Sequence, residues 1–316
     1  MKFKSANGFR TFLIANPTAG HGQLKRQWKS RIQPFLKKEL AHFDFEFTKN
    51  KAHATELTQQ ALQNGYNLIV AMGGDGTINE VINGFFEKGK NTHPEACLGI
   101  LPFGSGGDFI RSLKFERDYQ KAAHHLQGKK TKAIDVGWIK FKDRKQADRY
   151  FVNIANVGLV AEIMSKVNSK YKRLPALARY LSGSFQGFFS HHNQDVRLHL
   201  AGKGAMETKL TNLIIANGSY FGRGMHPAPN ARLDDGLFEI ILLKDMSFLK
   251  LCLHFPEIYA RKKVASASFL DHHESASIQI ESLGEKDALR YEMDGEVYGH
   301  GDAQITLLKQ KLKIKI

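Results

Sequence analysis

Apolar and polar positions in the first part of the chain switch between two periods. Thr11 to Ala15 is an apolar run that reads as a buried strand, and a turn cluster, Asn16-Pro17-Thr18-Ala19-Gly20, follows it. Leu24, Trp28, Ile32, Phe35 and Leu36 recur at helical spacing. Phe43, Phe45 and Phe47 alternate with Asp44 and Glu46, the period of a half-buried strand. Ala54, Leu57 and Ala61 predict a helix, and Asn67 to Met72 the next strand. Leu98 to Leu101 predicts another, and Ile134-Asp135-Val136 a short last one. Strand and helix patterns in alternation predict a parallel sheet covered by helices on both faces. Ligands of such sheets bind beyond the carboxyl ends of the strands, where the glycine-bearing turns after Ala15, Met72 and Leu101 belong.

After about Gly137 the texture changes. Tyr150–Ala155, Arg197–Leu200, Leu213–Ala216, Phe238–Leu243, Ser277–Ile280 and Ile305–Leu308 read as strands, most of them joined by polar, glycine-rich segments. Two helical patterns interrupt them, Ala176 to Phe189 and Phe248 to Tyr259, the second with Ser247 as its N-cap. The expected organisation is a Rossmann-like α/β domain over residues 1–137 and a mostly antiparallel β-sandwich over 138–316. The alternating last residues, Leu312 to Ile316, form a strand that either ends the sandwich or returns to the first domain.

Composition narrows the class. The 316 residues are 42% hydrophobic and 24% charged, enough for two domains with a substantial core. Two cysteines, Cys97 and Cys252, have neither metal spacing nor a disulfide framework, which fits a reducing compartment. Met1–Gly8 lacks the apolar core of a signal peptide, and no window is apolar enough to span a bilayer. The expected location is cytoplasmic, peripheral on a membrane. A net charge of +15 favours an anionic partner, either a nucleotide or an anionic membrane surface. Nucleic acid is unsupported, because no zinc-finger spacing, RNP signature or basic zipper is present. A homodimer is left open.

The stretch richest in chemistry is Ala71-Met72-Gly73-Gly74-Asp75-Gly76-Thr77-Ile78-Asn79-Glu80. It joins the run Leu68-Ile69-Val70 to the helical stripe Ile78, Val81, Ile82 and Phe85. Glycines let backbone N–H groups approach phosphate oxygens, and the helix N-terminus adds partial positive charge. The carboxylate can engage a phosphate-bound metal through water. A tight turn whose Asp serves as a cap is the competing reading.

The longer form, GGDGT followed by Asn-Glu, resembles the nucleotide-binding motif of the diacylglycerol kinase and sphingosine kinase superfamily. Further segments resemble the same superfamily in order. Asn16-Pro17-Thr18-Ala19-Gly20 looks like its opening element, and Thr48 like its nucleotide-contacting Thr. Pro102 to Phe109 resembles Pro-x-Gly-Thr-x-Asn-Asp-Phe, with Ser105 in place of Thr and Gly107 in place of Asn. Asp108 there is either a headgroup or metal-site residue or the N-cap of the next helix. Asn153 to Ala161 and Ala216 to Met225 match the opening and the Ala-Asn-Gly segments of the second domain, with Arg223 where the family has a glycine.

Pro229 to Leu237 resembles the segment that holds a structural Mg²⁺ in bacterial members. The resemblance implies Asp235 and the carbonyls of Arg232 and Leu237 as ligands. Asp294-Gly295-Glu296 resembles the family's late Asp-Gly-Glu. That match implies Glu296 as the base for the substrate hydroxyl, with Asp294 positioning the Glu or a metal. Phe185, Phe188 and Phe189 line one helix face with Leu181, as core or as an acyl or bilayer contact near Lys170, Lys172 and Arg173.

The resemblance implies an ATP- and Mg²⁺-dependent lipid kinase that transfers the γ-phosphoryl group to a lipid hydroxyl, diacylglycerol-like. ATP contacts are expected at Asn16, Thr48, Gly73, Gly74, Asp75, Gly76, Thr77, Ile78, Asn79 and Ser105. Asp75, Asp294 and Glu296 are the expected catalytic residues. The alternatives are a kinase of a soluble acceptor such as NAD, and a non-catalytic lipid- or nucleotide-binding protein on the same scaffold.

Overall fold

Residues 8–104, 106–169, 191–247, 269–284 and 289–316, with residues 250 and 253, are described by a computed structural model. Two units divide the chain, Met1–Val136 with Leu308–Ile316 and Gly137–Leu307.

In the first unit the order is β1 (Thr11–Ala15), α1 (Gln23–Gln27), α2 (Gln33–Leu40), β2 (Asp44–Phe47), α3 (His53–Gln63), β3 (Leu68–Gly73), α4 (Asp75–Phe85), β4 (Cys97–Pro102) and α5 (Asp108–Leu113). A π-helical turn, Trp28–Ile32, joins α1 to α2. Its cause is in the sequence: Leu24, Trp28, Ile32, Leu36 and Leu40 are all buried at a strict spacing of four. A 3.6-residue helix drifts about 40° per such step, and one wider turn returns the stripe to the core. Trp28 then packs on Phe45 and Phe47 of β2, with ring centroids 4.6 and 5.2 Å apart.

The four strands are parallel in the order β2-β1-β3-β4. Every residue of β3 is buried, and burying Leu68, Ile69 and Val70 stabilises by about 1.5–3 kcal/mol each. Register matters more for function. Ala15 lies opposite both Phe47 and Met72, and Met72 lies opposite Leu101. Asn16, Thr48, Gly73 and the segment after Leu101 therefore leave the sheet along one edge.

The second unit is antiparallel. It contains part of β5 (Thr131–Phe141), then β6 (Arg149–Phe151), β7 (Ile154–Gly158), α6 (Leu159–Ser169), β8 (Gln194–Leu200), β9 (Ala205–Ala216), β10 (Phe238–Lys244), β11 (Leu270–Ser275), β12 (Ser277–Ser282), β13 (Arg290–Met293), β14 (Glu296–His300) and the start of β15 (Ala303–Lys315). The long strand β9 organises the sandwich: its first half pairs with β8, its second half with β7, and β10 runs along its other edge. Alternate residues of these strands form one core, including Val157, Leu213, Ile215, Phe238, Tyr291 and Met293. The mixed architecture is the expected one, parallel α/β followed by an antiparallel sandwich. Thr306 and Ile305 of β15 pair with β12, and Lys313 and Ile314 pair with β4 of the first unit.

Several elements differ from expectation, among them Thr131–Phe141, an eleven-residue strand where Ile134-Asp135-Val136 predicts a short one. Leu159–Ser169 is a helix for which the sequence pattern carried no prediction. The strand stops at Gly158, whose φ of 100° breaks the extended path. Leu270–Ser275 is a strand hidden by its polar sequence, with His272 bonded to Glu239 of β10 at 2.5 Å. The expected helices at 176–189 and 248–259, with Phe185, Phe188, Phe189, Cys252 and the nearby basic residues, lie at or beyond the limits of the described residues. Among the described residues no helix is long and apolar enough to cross a membrane.

Candidate active site

At the carboxyl edge of the first unit, β3 passes into α4 through Gly73 and Gly74. A Cβ on Gly73 would lie 2.5 Å from Thr77 Oγ1, so only glycine lets the helix close over that hydroxyl. Asn16 Nδ2 donates to Thr77 Oγ1 at 3.1 Å, while Asn16 Oδ1 accepts from the Thr18 N–H and hydroxyl at 3.0 and 2.8 Å. The turn after β1 is thus bolted to the first turn of α4. Gly74 provides no side-chain cap, so the positive end of α4 is not closed by its own neighbour. Thr48 follows β2 on the same edge, its N–H donating to the Ala15 carbonyl at 3.0 Å. Ile78 and Asn79 are buried on α4, and Asn79 Oδ1 accepts from Asn83 at 3.1 Å.

The Asp75 carboxylate turns away from its own helix. It accepts from the N–H groups of Gly107, Asp108 and Phe109 at 2.8, 3.1 and 3.4 Å. These are the orphan donors of α5, so Asp75 caps a helix more than thirty residues further along. Asp108 is consequently not the N-cap. That position is Gly107, at φ 96°, a left-handed conformation that glycine adopts without strain. Asp108 is the first helical residue and pairs with Arg111 at 3.1 Å. Arg117 donates to the Gly106 carbonyl at 2.6 Å, and a concavity opens between Gly73, Gly74, Asp75, Gly104, Gly107 and Arg117. Ser105 lies outside the described residues.

Glu80, one turn and a half beyond Asp75, repeats the device. Its two carboxylate oxygens accept from Ala52 and Ala54 N–H at 3.0 and 3.2 Å, capping α3. Neither this role nor that of Arg117 was drawn from the sequence. Glu80 carried a signal, its fixed place in the motif, whereas Arg117 carried none.

In the second unit, Asp294 and Gly295 link β13 to β14 with φ of 49° and 92°. Two consecutive positive φ values are what a type I′ hairpin needs, and Asp-Gly is its preferred sequence. The Asp294 carboxylate accepts from Val152, Asn153 and Ile154 N–H at 3.0, 3.0 and 3.1 Å. Asn217 Nδ2 donates to the Val152 carbonyl at 2.7 Å, and Asn153 Nδ2 donates to the Tyr220 carbonyl. Three segments quoted separately from the sequence therefore meet at this hairpin. Glu296, the first residue of β14, is half-buried.

Below the hairpin lies a residue the sequence did not single out. Glu292 is buried, accepts from Asn156 Nδ2 at 2.6 Å and also accepts from the Gly295 N–H. Burial pushes its carboxyl up to about 7. The charges of Asp294 and Glu296 act in the same direction, and the two donors oppose it.

The expected structural metal site is a turn at Asp235, whose Oδ1 accepts the Leu237 N–H at 3.0 Å. The Arg232 side chain reaches Asp234 at 3.6 Å. Among the described residues no group of three or more His, Cys, Asp or Glu could hold a metal ion. One carboxylate with backbone carbonyls and water is still a hard, all-oxygen donor set, which suits Mg²⁺.

Residues 10–139 match the diacylglycerol kinase catalytic domain, and residues 153–316 match the YegS C-terminal NAD kinase beta sandwich-like domain. The chain belongs to the diacylglycerol kinase superfamily. It is 28% identical to a diacylglycerol kinase of Staphylococcus carnosus over 307 residues, 96% of this chain and 94% of that one. A Staphylococcus aureus diacylglycerol kinase is also 28% identical, over 96% of this chain and 91% of its own. A crystal structure of a candidate diacylglycerol kinase from Bacillus anthracis superposes with a TM-score of 0.76 at 25% identity, covering 99% and 98% of the two chains.

Against this superfamily the two departures acquire physical content. Gly107 sits in a left-handed cap whose N–H, not its side chain, makes the contact to Asp75. Arg223 stands at φ 70°, the conformation glycine takes freely and other residues adopt at a cost of about 1–2 kcal/mol.

Proposed function

We propose that this chain, an ATP-dependent lipid kinase, phosphorylates the hydroxyl of a diacylglycerol-like acceptor at an anionic membrane surface. The observation that carries the donor half is the Asn16–Thr77–Asp75 arrangement at the edge where the four parallel strands end, with Gly74, the N-cap residue of α4, making no side-chain cap bond. Backbone N–H groups there suit the phosphates of ATP. The acceptor is argued from the curated relatives, named diacylglycerol kinases and matched over nearly their whole length.

In this reading Gly73, Gly74, Gly76 and Thr77 hold the phosphate chain, with Ser105 adding a hydroxyl. Asn16 orients Thr77, Thr48 contacts the nucleotide, and Ile78 and Asn79 seat the helix. Mg²⁺, when bound with ATP, neutralises phosphate charge during transfer. Asp75, with three of its roughly four acceptor positions committed to amides, would hold that ion through water. Asp235 and the carbonyls of Arg232 and Leu237 would hold a second, structural ion. Glu296 accepts the proton of the acceptor hydroxyl as its oxygen bonds to the γ-phosphorus and the bond to ADP breaks. Asp294 fixes the hairpin that presents Glu296.

The test is transfer of label from γ-labelled ATP to a panel of lipids in mixed micelles, with NAD run alongside. Diacylglycerol is expected to give a labelled phosphate monoester in the organic phase. Labelling of NAD alone would move the acceptor to a soluble nucleotide. Binding of ATP and of anionic vesicles with no labelled product would leave a non-catalytic binding protein.

A further inference from the structure

Glu292, Asn156 and Asn212 form a row across β13, β7 and β9. Glu292 lies directly opposite Asn156 in the ladder, and Asn212 is the diagonal neighbour of Asn156. Their side chains share the face opposite to Tyr291, Met293, Val157 and Leu213 of the sandwich core. All three are 4% exposed or less. The helix α6 packs on β13, β14 and β9 over this face.

The row has a direction that chemistry alone determines. At one end the Val160 N–H, in the first turn of α6, donates to Asn212 Oδ1 at 3.0 Å. A backbone amide N–H cannot accept, so Asn212 must present its oxygen there and its NH2 group onwards. Asn212 Nδ2 then donates to Asn156 Oδ1 at 3.3 Å, and Asn156 Nδ2 to Glu292 Oε2 at 2.6 Å. From the other end the Gly295 N–H donates to Glu292 Oε1. Glu292 is therefore met by a donor at each oxygen, an arrangement only a carboxylate satisfies fully. An amide at the same position must point its own NH2 group at one of two donors.

We propose that Glu292 is a positioning residue for phosphoryl transfer: as the double acceptor ending the Val160–Asn212–Asn156 chain, it fixes the Gly295 peptide and so aims Glu296 at the acceptor hydroxyl. The inference rests on Glu296 being the base. Asp294 pins the hairpin from one side through its carboxylate, and Glu292 pins it from the other through the residue next to Glu296. A small misplacement of a base costs roughly 10- to 100-fold in rate. KM for ATP is expected to be unaffected, since the nucleotide is held by other residues.

The experiment exploits direction. Glu292→Gln and Asn156→Asp each place like groups face to face, two amides or two carboxylates. The double variant Asn156→Asp/Glu292→Gln restores every donor–acceptor pair with the charge moved one residue. In it the carboxylate introduced at position 156 accepts from Asn212 and from the amide introduced at position 292. The oxygen of that amide accepts from the Gly295 N–H. At pH 8, with lipid in mixed micelles, each single variant is expected to lose roughly 10-fold or more in kcat, with KM for ATP within about twofold. The double variant is expected to return to within about threefold of wild type. Thermal melting reports whether each protein is folded. If Glu292→Gln alone does not fold, the double variant decides, and its failure to fold or to recover overturns the inference. Wild-type kcat in Glu292→Gln while Glu296→Gln is inactive also overturns it and leaves the functional reading standing. Wild-type kcat in Glu296→Gln takes down the functional reading itself, and the aim assigned to Glu292 with it.

Discussion

The acidic turns at Gly73–Thr77 and Asp294–Glu296 use the same group for opposite ends. In each, an Asp commits its carboxylate to three consecutive backbone N–H groups: Asp75 to residues 107–109, Asp294 to residues 152–154. Asp75 reaches outward to start α5, and the N-cap residue of its own helix, Gly74, makes no side-chain cap bond. Asp294 reaches inward to brace a two-residue hairpin, and the half-buried Glu296 follows. The carboxylate shapes the site in both turns. In the proposed function the first turn offers backbone amides to the nucleotide and the second offers a further carboxylate, Glu296, to the acceptor. An acidic residue in a motif is therefore not automatically its reactive group.

The comparison breaks most visibly at Asp294. Asp294→Ala strands three amides that had a charged acceptor, and an expected loss of about 4 kcal/mol should appear in denaturant midpoints, with activity abolished. Stability unchanged within about 0.5 kcal/mol would remove its bracing role. Next in size is the pH response of Glu292. Its carboxyl is raised to about 7 from an ordinary 4.5, chiefly by burial, with Asp294 and Glu296 facing it from the hairpin and Asn156 from β7. The folded protein then keeps a proton that the unfolded chain has released between those values. The stabilisation is complete below the ordinary value and is lost as pH rises through about 7. Wild type should lose up to about 3 kcal/mol relative to Glu292→Gln across that window, read from paired melts. A constant difference would contradict the burial argument.

Asp75→Asn should cost about 2 kcal/mol, since an amide can satisfy only part of the α5 cap. Hydrogen exchange at residues 107–109 should quicken, and KM for ATP should rise roughly 10-fold as the neighbouring turn shifts. Unchanged exchange there would separate Asp75 from α5. Smallest is Glu80→Ala, expected to cost about 1 kcal/mol through the α3 cap with little effect on kcat. A large kcat loss would show that Glu80 is more than a cap.

Much of the first unit was legible because period and turn chemistry agree locally. Leu68 to Thr77 reads as strand, glycine turn and helix from its own residues, and parallel register then aligns Asn16, Thr48 and Gly73 without further information. What Asp75 and Glu80 do was not legible. Their partners lie some thirty residues away and are backbone amides, which carry no sequence signal. The spacing of Leu24, Trp28, Ile32 and Leu36 announced a helix but not the π turn, because a strict fourfold repeat fits either until the core is known. The helix from Leu159 was not legible, because Leu159-Val160-Ala161 are as apolar as the strand that Gly158 ends. Glu292 lies in the strand Arg290-Tyr291-Glu292-Met293, and nothing in those four residues says what covers its face. In the structure α6 packs against β13, and Glu292 is buried.

The most direct measurement is single-turnover phosphoryl transfer from γ-labelled ATP to diacylglycerol by Glu296→Gln, with ATP binding measured on the same protein. A side chain that takes the hydroxyl proton contributes roughly 100- to 10,000-fold, so the transfer rate should fall by at least about 100-fold while ATP affinity stays within about twofold. Transfer at the wild-type rate would contradict the assignment of proton transfer to Glu296 and with it the reading of the Asp294–Glu296 hairpin.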